Sequence, residues 1–229
     1  MGKDTYYSGA LFVDHATSYV HPEFQQVISS HATIMVKTLY KGMCRDHGVI
    51  PQMYLSDNGS TFSSKEFANY LTDFRQVIFF AGLGAHHHNG IAKHSIQTLM
   101  FLSCAMMLHA AIHWPDMADT KLWPAMTVQQ LCFIWNYMSN TGTGLSPADI
   151  FTKIRWPKST FHDTHIWVCP VYVLDKHIAD GNKISKWKPR SHHCMNLGTA
   201  HVCLRGVPSS CLPATFLCLP LLFPPPLLY

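Results

Sequence analysis

The chain has 229 residues, of which 48% are hydrophobic and 12% aromatic, a composition typical of a globular protein. This length allows one sizeable core, or a domain of about 150 residues with an appendage. The formal net charge of +4, beside 16 histidines, gives a mildly basic chain that favours polyanions such as nucleic acid without demanding them.

Cysteine usage and apolar patterning exclude two classes of protein. The eight cysteines include no CxxC pair, and the first residues contain no apolar signal segment, so we expect an intracellular, reducing environment rather than secretion. No uninterrupted apolar run reaches about 18 residues, and the most apolar part, near the C-terminus, is broken by prolines. We therefore predict no membrane span and no membrane partner.

The first third of the chain alternates between strand and helix patterns. Apolar residues and turn signals predict a hairpin that turns at residues 16–18. Ser29 or Ser30 can cap the first helix, and Ser63-Ser64 can cap the second. Strand, helix, strand is an α/β pattern. The predicted order by residue number is strand 8–14, strand 19–28, a helix from Ser29 or Ser30 to Gly48, strand 49–56, helix 67–74 and strand 77–80.

Two longer helices and a capped turn follow. A helix from about Asn89 to His113 is predicted to bury one face and to end before Trp114-Pro115, and an apolar helix covers residues 122–138. Ser146-Pro147-Ala148-Asp149 predicts a capped short helix. The residues expected to be buried are Ile96, Leu99 or Met100, Ser103 and Met107, together with Trp114, Trp123 and Trp135 as packing residues.

The stretch from Leu55 to Gln97 carries the residues with chemical potential. Apolar residues run into Asp57-Asn58-Gly59, a turn that leaves the Asp57 carboxylate at the end of a strand. A loop rich in glycine and histidine follows strand 77–80, and His88-Asn89-Gly90-Ile91-Ala92-Lys93 opens the next helix. Such a loop can order over a ligand.

These residues resemble the integrase catalytic core of copia-like LTR retrotransposons, in the retroviral integrase superfamily. The family signature is Asp-Asn-Gly followed at a fixed distance by Asn-Gly-Ile-Ala-Glu. The resemblance implies a ribonuclease-H-like mixed sheet flanked by helices, Mg²⁺ or Mn²⁺ held by three carboxylates, and DNA integration. It continues through the Gly-Leu-Ser-Pro element at residues 144–147 and through the segments 161–162, 165–173 and 186–191, and fades after Gly198.

The chain departs from that signature at two of the three carboxylates. The family spacing puts the glutamate at position 93, where Lys93 brings a positive charge and no lone pair for a metal ion. Residues 10–20 match the family's second strand, so the first strand and its aspartate are expected to be missing, and Asp14 is a doubtful substitute. Asp57 is then the only remnant catalytic and metal-binding residue, and we predict an inactive copy.

Nucleic-acid contacts are expected in two segments. The first is the histidine loop at residues 86–88 together with the start of the following helix. The second is a basic segment around Trp187, where the indole can stack on a base and the neighbouring cations can contact phosphates. The predicted contacts are His87, His88, Asn89, Lys93, Gln97, Lys186, Lys188 and Arg190. Each segment also has a non-functional alternative. The histidine loop could be only a mobile polar loop, Lys93 and Gln97 a solvated helix start, and the segment around Trp187 a solvated linker face. We do not expect the triple histidine at 86–88 to form a zinc site, because adjacent residues seldom converge on one ion.

The resemblance also suggests how the chain is divided and what it contacts. We expect an integrase-core-like domain at 1–113 that lacks its first strand, a helical and basic extension at 114–198, and a disordered or out-of-frame Pro/Leu/Cys-rich tail at 199–229. The expected partners are DNA, with RNA as a second possibility, and further copies or intact integrases, in the nucleus if the chain functions as an integrase relative. The alternatives are a non-catalytic DNA- or RNA-binding remnant and a decayed reading frame that folds poorly.

Overall fold

The computed structural model describes residues 6–56, 62–80, 89–115, 123–156, 165–175, 178, 180–183, 185, 187–200 and 215–220. They form a mixed α/β structure of small sheets and helices. The chain divides into two compact units, Met1–Thr160 and Phe161–Tyr229. The predicted division at residues 113 and 198 stays a prediction.

The first unit begins with an antiparallel hairpin, as the sequence predicts. Strands β1 (Ser8–Val13) and β2 (Val20–Gln25) pair with Val13 opposite Val20. The Asp14 carboxylate closes the turn, because it accepts hydrogen bonds from the Thr17 backbone N–H (2.9 Å) and hydroxyl (2.6 Å). A short polar side chain that bonds the backbone ahead of it is an ordinary turn former. Asp14 therefore has a structural role in the hairpin.

Helix α1 (Ser30–Asp46) covers one side of this hairpin. The Ser29 hydroxyl accepts a hydrogen bond from the Ala32 N–H and so caps the helix, as predicted. The helix ends before Gly48, whose φ of 72° is the left-handed conformation that glycine adopts at no steric cost. Tyr40 stacks on Phe12 of β1 with ring centroids 4.1 Å apart.

A parallel strand pair follows α1. Strand β3 (Met53–Ser56) and strand β4 (Val77–Phe80) are connected through helix α2 (Lys65–Asp73), which Ser64 caps. The prediction for β4 is confirmed at both ends. The prediction for β3 is wrong over residues 49–52, because Pro51 has no N–H to donate to a ladder and its carbonyl instead accepts a hydrogen bond from the Gln76 side chain.

The two strand pairs do not join into one sheet among the described residues. Both nevertheless contact the same helix, since Phe12 of β1 and Tyr54 of β3 pack on the cluster that contains Tyr40 and Cys44. A continuous ribonuclease-H-like sheet, with its first strand missing, stays a prediction.

Helix α3 (Gly90–His113) packs against helix α4 (Trp123–Tyr137) and the hairpin. Leu99 and Ser103 are buried as predicted, whereas Ile96 is 44% exposed and Met100 is 50% exposed. The helix is apolar around most of its circumference, so hydrophobic periodicity could not identify its buried side. Ser103 meets Thr127 of α4 through a buried hydroxyl pair, a contact that two small polar residues allow at close approach.

By length and composition alone, α3 is also the one described helix that could cross a membrane, with a mean hydropathy of 1.5 over its most apolar window. A core helix can pass the same test, and only 17% of that window is buried here. This is weak support for a membrane span.

Asn136 of α4 completes the hydrogen bonding of β2. Its side-chain oxygen accepts from the Val20 N–H (2.9 Å), and its amide donates to the Val20 carbonyl (2.7 Å). Both residues are buried, and they are 116 positions apart in the chain. A side-chain amide therefore takes the place of a neighbouring strand at this position.

We predict that Asn136→Ala lowers the free energy of unfolding by about 2–4 kcal/mol, because it leaves a buried N–H and a buried C=O without partners. Urea unfolding followed by circular dichroism measures the loss. Gln129→Ala, on the same helix, is the matched control and should cost well under half as much. Equal losses in the two variants would contradict this role for Asn136.

Helix α5 (Pro147–Thr152) is the last helix described in the first unit. Ser146 and Asp149 form a reciprocal capping box, and Pro147 occupies the first helical position, as the sequence predicts. Asp149 also accepts a hydrogen bond from the Trp156 N–H (2.7 Å).

The second unit is a three-stranded antiparallel sheet with the order β5 (Pro170–Leu174), β6 (Ser191–Ala200) and β7 (Thr215–Pro220). Met195 and Leu197 are buried in β6, and the Leu197 carbonyl accepts a hydrogen bond from the Trp167 indole N–H (3.3 Å). Strand β7 lies within the segment 199–229, most of which is outside the described residues.

Candidate nucleic-acid interface

The predicted site residues fall into two groups that the structure describes and one that it does not. Asn89, Lys93 and Gln97 lie at the start of α3 in the first unit, while Lys188 and Arg190 lie between β5 and β6 in the second. The remaining residues, Asp57, His87, His88 and Lys186, lie outside the described residues.

The start of α3 has the properties of an anion site. Asn89 precedes the helix and makes no side-chain capping bond, and the first turn contains no acidic residue. The first N–H groups of a helix carry a partial positive charge, which favours anions such as phosphate. Lys93 is half-buried in this first turn, and Gln97 is exposed one turn further along the same face. Lys93 and Gln97 are therefore on the same face, within the first two turns of the helix.

The divalent metals that the family resemblance implies do not fit the described residues. Mg²⁺ and Mn²⁺ prefer oxygen ligands, and a lysine ammonium has no lone pair to offer them. No group of three or more His, Cys, Asp or Glu side chains placed to hold a metal occurs in the part of the chain that is described. Asp14 is engaged in the hairpin turn. We therefore derive no metal-dependent step for this chain.

The second group surrounds an unusually exposed tryptophan. Trp187 is 96% exposed, and its neighbours Lys183, Lys188 and Arg190 are exposed as well. The backbone here is held locally, since the Lys188 N–H donates to the Ser185 carbonyl (3.1 Å) and the Arg190 carbonyl accepts from the Asp175 N–H (2.8 Å). An exposed indole beside cations can stack on a base while the cations contact phosphates.

Sequence reasoning missed Lys37, which is only 2% exposed. Its Nζ atom lies 4.0 Å from the centre of the Tyr54 ring and 5.1 Å from that of Tyr70, and it donates to the Gln76 side-chain oxygen (2.9 Å). Burial, with the nearby charge of Lys41, lowers the pKa of Lys37 to about 7. Helical spacing could have indicated this position. The buried residues Thr33, Val36, Tyr40 and Cys44 lie on one face of α1, and residue 37 lies on the same face.

Comparison with known proteins gives structural matches only. No family model matches the chain, and no curated protein matches it. It is similar to a chain of the simian T-cell lymphotropic virus intasome in complex with PP2A regulatory subunit B56 gamma, with a TM-score of 0.51 and 15% identity over 85% of this chain and 64% of that chain.

Two integrase catalytic cores are similar at lower scores. The HTLV-2 integrase core in complex with magnesium has a TM-score of 0.46 and 14% identity, over 62% of this chain and 83% of that chain. The BIV integrase core has a TM-score of 0.46 and 12% identity, over 62% of this chain and 84% of that chain. The intasome match, at 15% identity, shows a shared fold and not an activity.

Proposed function

We propose that this chain descends from an integrase of the copia-like retrotransposon group, retains binding to DNA, and does not catalyse strand transfer. The observation that carries the proposal is the first turn of α3, which holds Lys93 and no acidic residue. The spacing between Asp57 and the Asn89-Gly90-Ile91-Ala92 segment supports the ancestry, and the fold shared with an intasome chain is consistent with it.

Phosphate binding at α3 requires no metal ion. The helix N–H groups and the Lys93 ammonium are both donors with positive charge, and the Gln97 amide adds a neutral donor. A carboxylate at position 93 would repel a phosphate unless a cation stood between them. The substitution therefore exchanges a metal ligand for a direct phosphate contact, so binding can outlast catalysis.

The proposed ancestry would make the two described strand pairs parts of one sheet. In a ribonuclease-H-like sheet, one further strand stands between the strands that correspond to β1 and β3. Assembly with further copies and a nuclear location belong to the same proposal.

The test is DNA binding by Lys93→Gln, measured by fluorescence anisotropy between about 50 and 200 mM salt. Loss of one phosphate contact should raise Kd several-fold at low salt and lower the salt slope by roughly one. Lys65→Gln, at an exposed lysine of α2, is the matched control and should bind like the parent chain.

Two results would overturn the proposal. A Kd that does not change with salt would exclude binding through phosphates. Joining of DNA ends in Mg²⁺ or Mn²⁺, lost in Asp57→Ala, would exclude an inactive copy.

A further inference from the structure

The last turn of α3 carries two histidines side by side. His109 and His113 are both exposed, and their ring centroids are 4.4 Å apart with 57° between the ring planes. Residues four apart on a helix lie one above the other on the same face. The helix therefore places two imidazoles next to each other on an exposed surface, at the opposite end of α3 from Lys93.

We propose that His109 and His113 bind a divalent transition-metal ion of the Zn²⁺, Cu²⁺ and Ni²⁺ class. Neutral imidazole is a preferred ligand of these ions. The same one-turn spacing occurs in the His-Glu-x-x-His helix of zinc proteases, where the two histidines hold the metal and the glutamate is the general base. Here the position after His109 is Ala110, so the pair provides metal binding without that base.

The end of the helix adds an electrostatic contribution. The carbonyls of a helix's last turn carry a partial negative charge, which stabilises a cation placed there. His113 is the final residue of the 24-residue α3, at the negative end of the helix dipole. The helix has no lysine or arginine near this end, because its only such residue is Lys93.

The geometry distinguishes this site from the metals implied by the family resemblance. Mg²⁺ requires several oxygen ligands and has little affinity for imidazole. A site of two histidines leaves the other coordination positions to water or to an outside ligand, so binding should be reversible. Neither DNA nor Asp57 is involved, and the inference holds or fails independently of the proposed function.

Histidine footprinting of the full chain tests the site, because the chain has 16 histidines and each must be resolved separately. Diethylpyrocarbonate modification, read by mass spectrometry, should show protection of His109 and His113 by Zn²⁺ and Cu²⁺ and none by Mg²⁺. In His109→Ala, the Zn²⁺ concentration that half-protects His113 should rise by roughly tenfold or more, because the chelate has lost one of its two ligands.

His94→Ala is the matched control, since His94 is exposed on the same helix and residues 90 and 98, four positions to either side, are Gly and Thr. It should leave the protection of His109 and His113 unchanged. Zn²⁺ should also raise the thermal midpoint of the parent chain and not that of His113→Gln, as expected for binding to the folded state. Undiminished protection of His113 in His109→Ala, or equal protection of His94 and His113 by Zn²⁺, would overturn the proposal.

Discussion

Replacing Lys37 by methionine should raise the stability of the first unit at neutral pH and remove most of its pH dependence between about pH 7 and pH 10. Lys37 is 2% exposed, and burial lowers its pKa from 10.5 to about 7. Between these two values the unfolded chain binds a proton that the folded chain does not, so stability rises with pH. Below about pH 7 both states are protonated, and the full cost of burying the ammonium is present.

The expected contribution of Lys37 to this rise is about 2–3 kcal/mol, measured as the difference between the parent chain and Lys37→Met. The full shift would give more, but the contacts of the ammonium with the rings of Tyr54, Phe67 and Tyr70 favour its charged form and offset part of the cost. Methionine keeps the long apolar stem and fits the same space, and Gln76, which is half-buried, can bond to water in its place.

Urea unfolding at a series of pH values measures the free energy of unfolding. The result to compare is the difference between the parent chain and Lys37→Met at each pH. Burial raises the pKa of Cys44 from 9.0 to about 11, which lowers the stability of both chains as pH increases through the thiol's pKa in the unfolded chain.

Lys41→Met, one turn further along α1, is the control and should keep most of the pH dependence. An equal change in stability between pH 7 and 10 in the parent chain and in Lys37→Met would contradict a buried ammonium at residue 37. Cooperative unfolding in any of these chains would exclude a decayed, poorly folding product.

Trp187→Ala should weaken binding of single-stranded DNA by about 1–3 kcal/mol, or roughly 5- to 150-fold in Kd, because stacking on one base contributes that much. Trp187 is 96% exposed, so its truncation removes little packing from the second unit. Duplex DNA, whose bases are already stacked on each other, should lose far less affinity. Fluorescence anisotropy with a single strand and its duplex measures both.

Trp187→Phe and Tyr172→Ala are the matched variants. Phenylalanine retains a stacking face and should keep much of the affinity, whereas Tyr172 is an exposed aromatic residue of β5 whose removal should have no effect. Loss of affinity in Trp187→Ala that is equal for single-stranded and duplex DNA would exclude stacking. In that case Lys188 and Arg190 would account for the binding through phosphate contacts alone.

Much of the local structure could be predicted because its signals lie within a few residues of each other. The hairpin, the caps at Ser29, Ser64 and Ser146, and the strand at residues 77–80 depend on short patterns of apolar, turn and capping residues. The family resemblance rested on the spacing between Asp57 and position 93, and the match to an intasome chain shows a shared fold. The copia-like ancestry and the roles of Asp57, His87, His88 and Lys186 remain proposals.

The amino-acid sequence by itself determined most helices and strands of the first unit, apart from residues 49–52, and that a cation stands in the first turn of α3. Strands β5, β6 and β7 of the second unit were not predicted. Only the tertiary structure decided which side of α3 is buried, that Asn136 serves as a strand partner for Val20, and that Lys37 is enclosed by aromatic rings. The reason is the range of the interactions. Capping and turn formation act between neighbours in the chain, whereas burial and desolvation depend on residues that folding brings together from more than a hundred positions away.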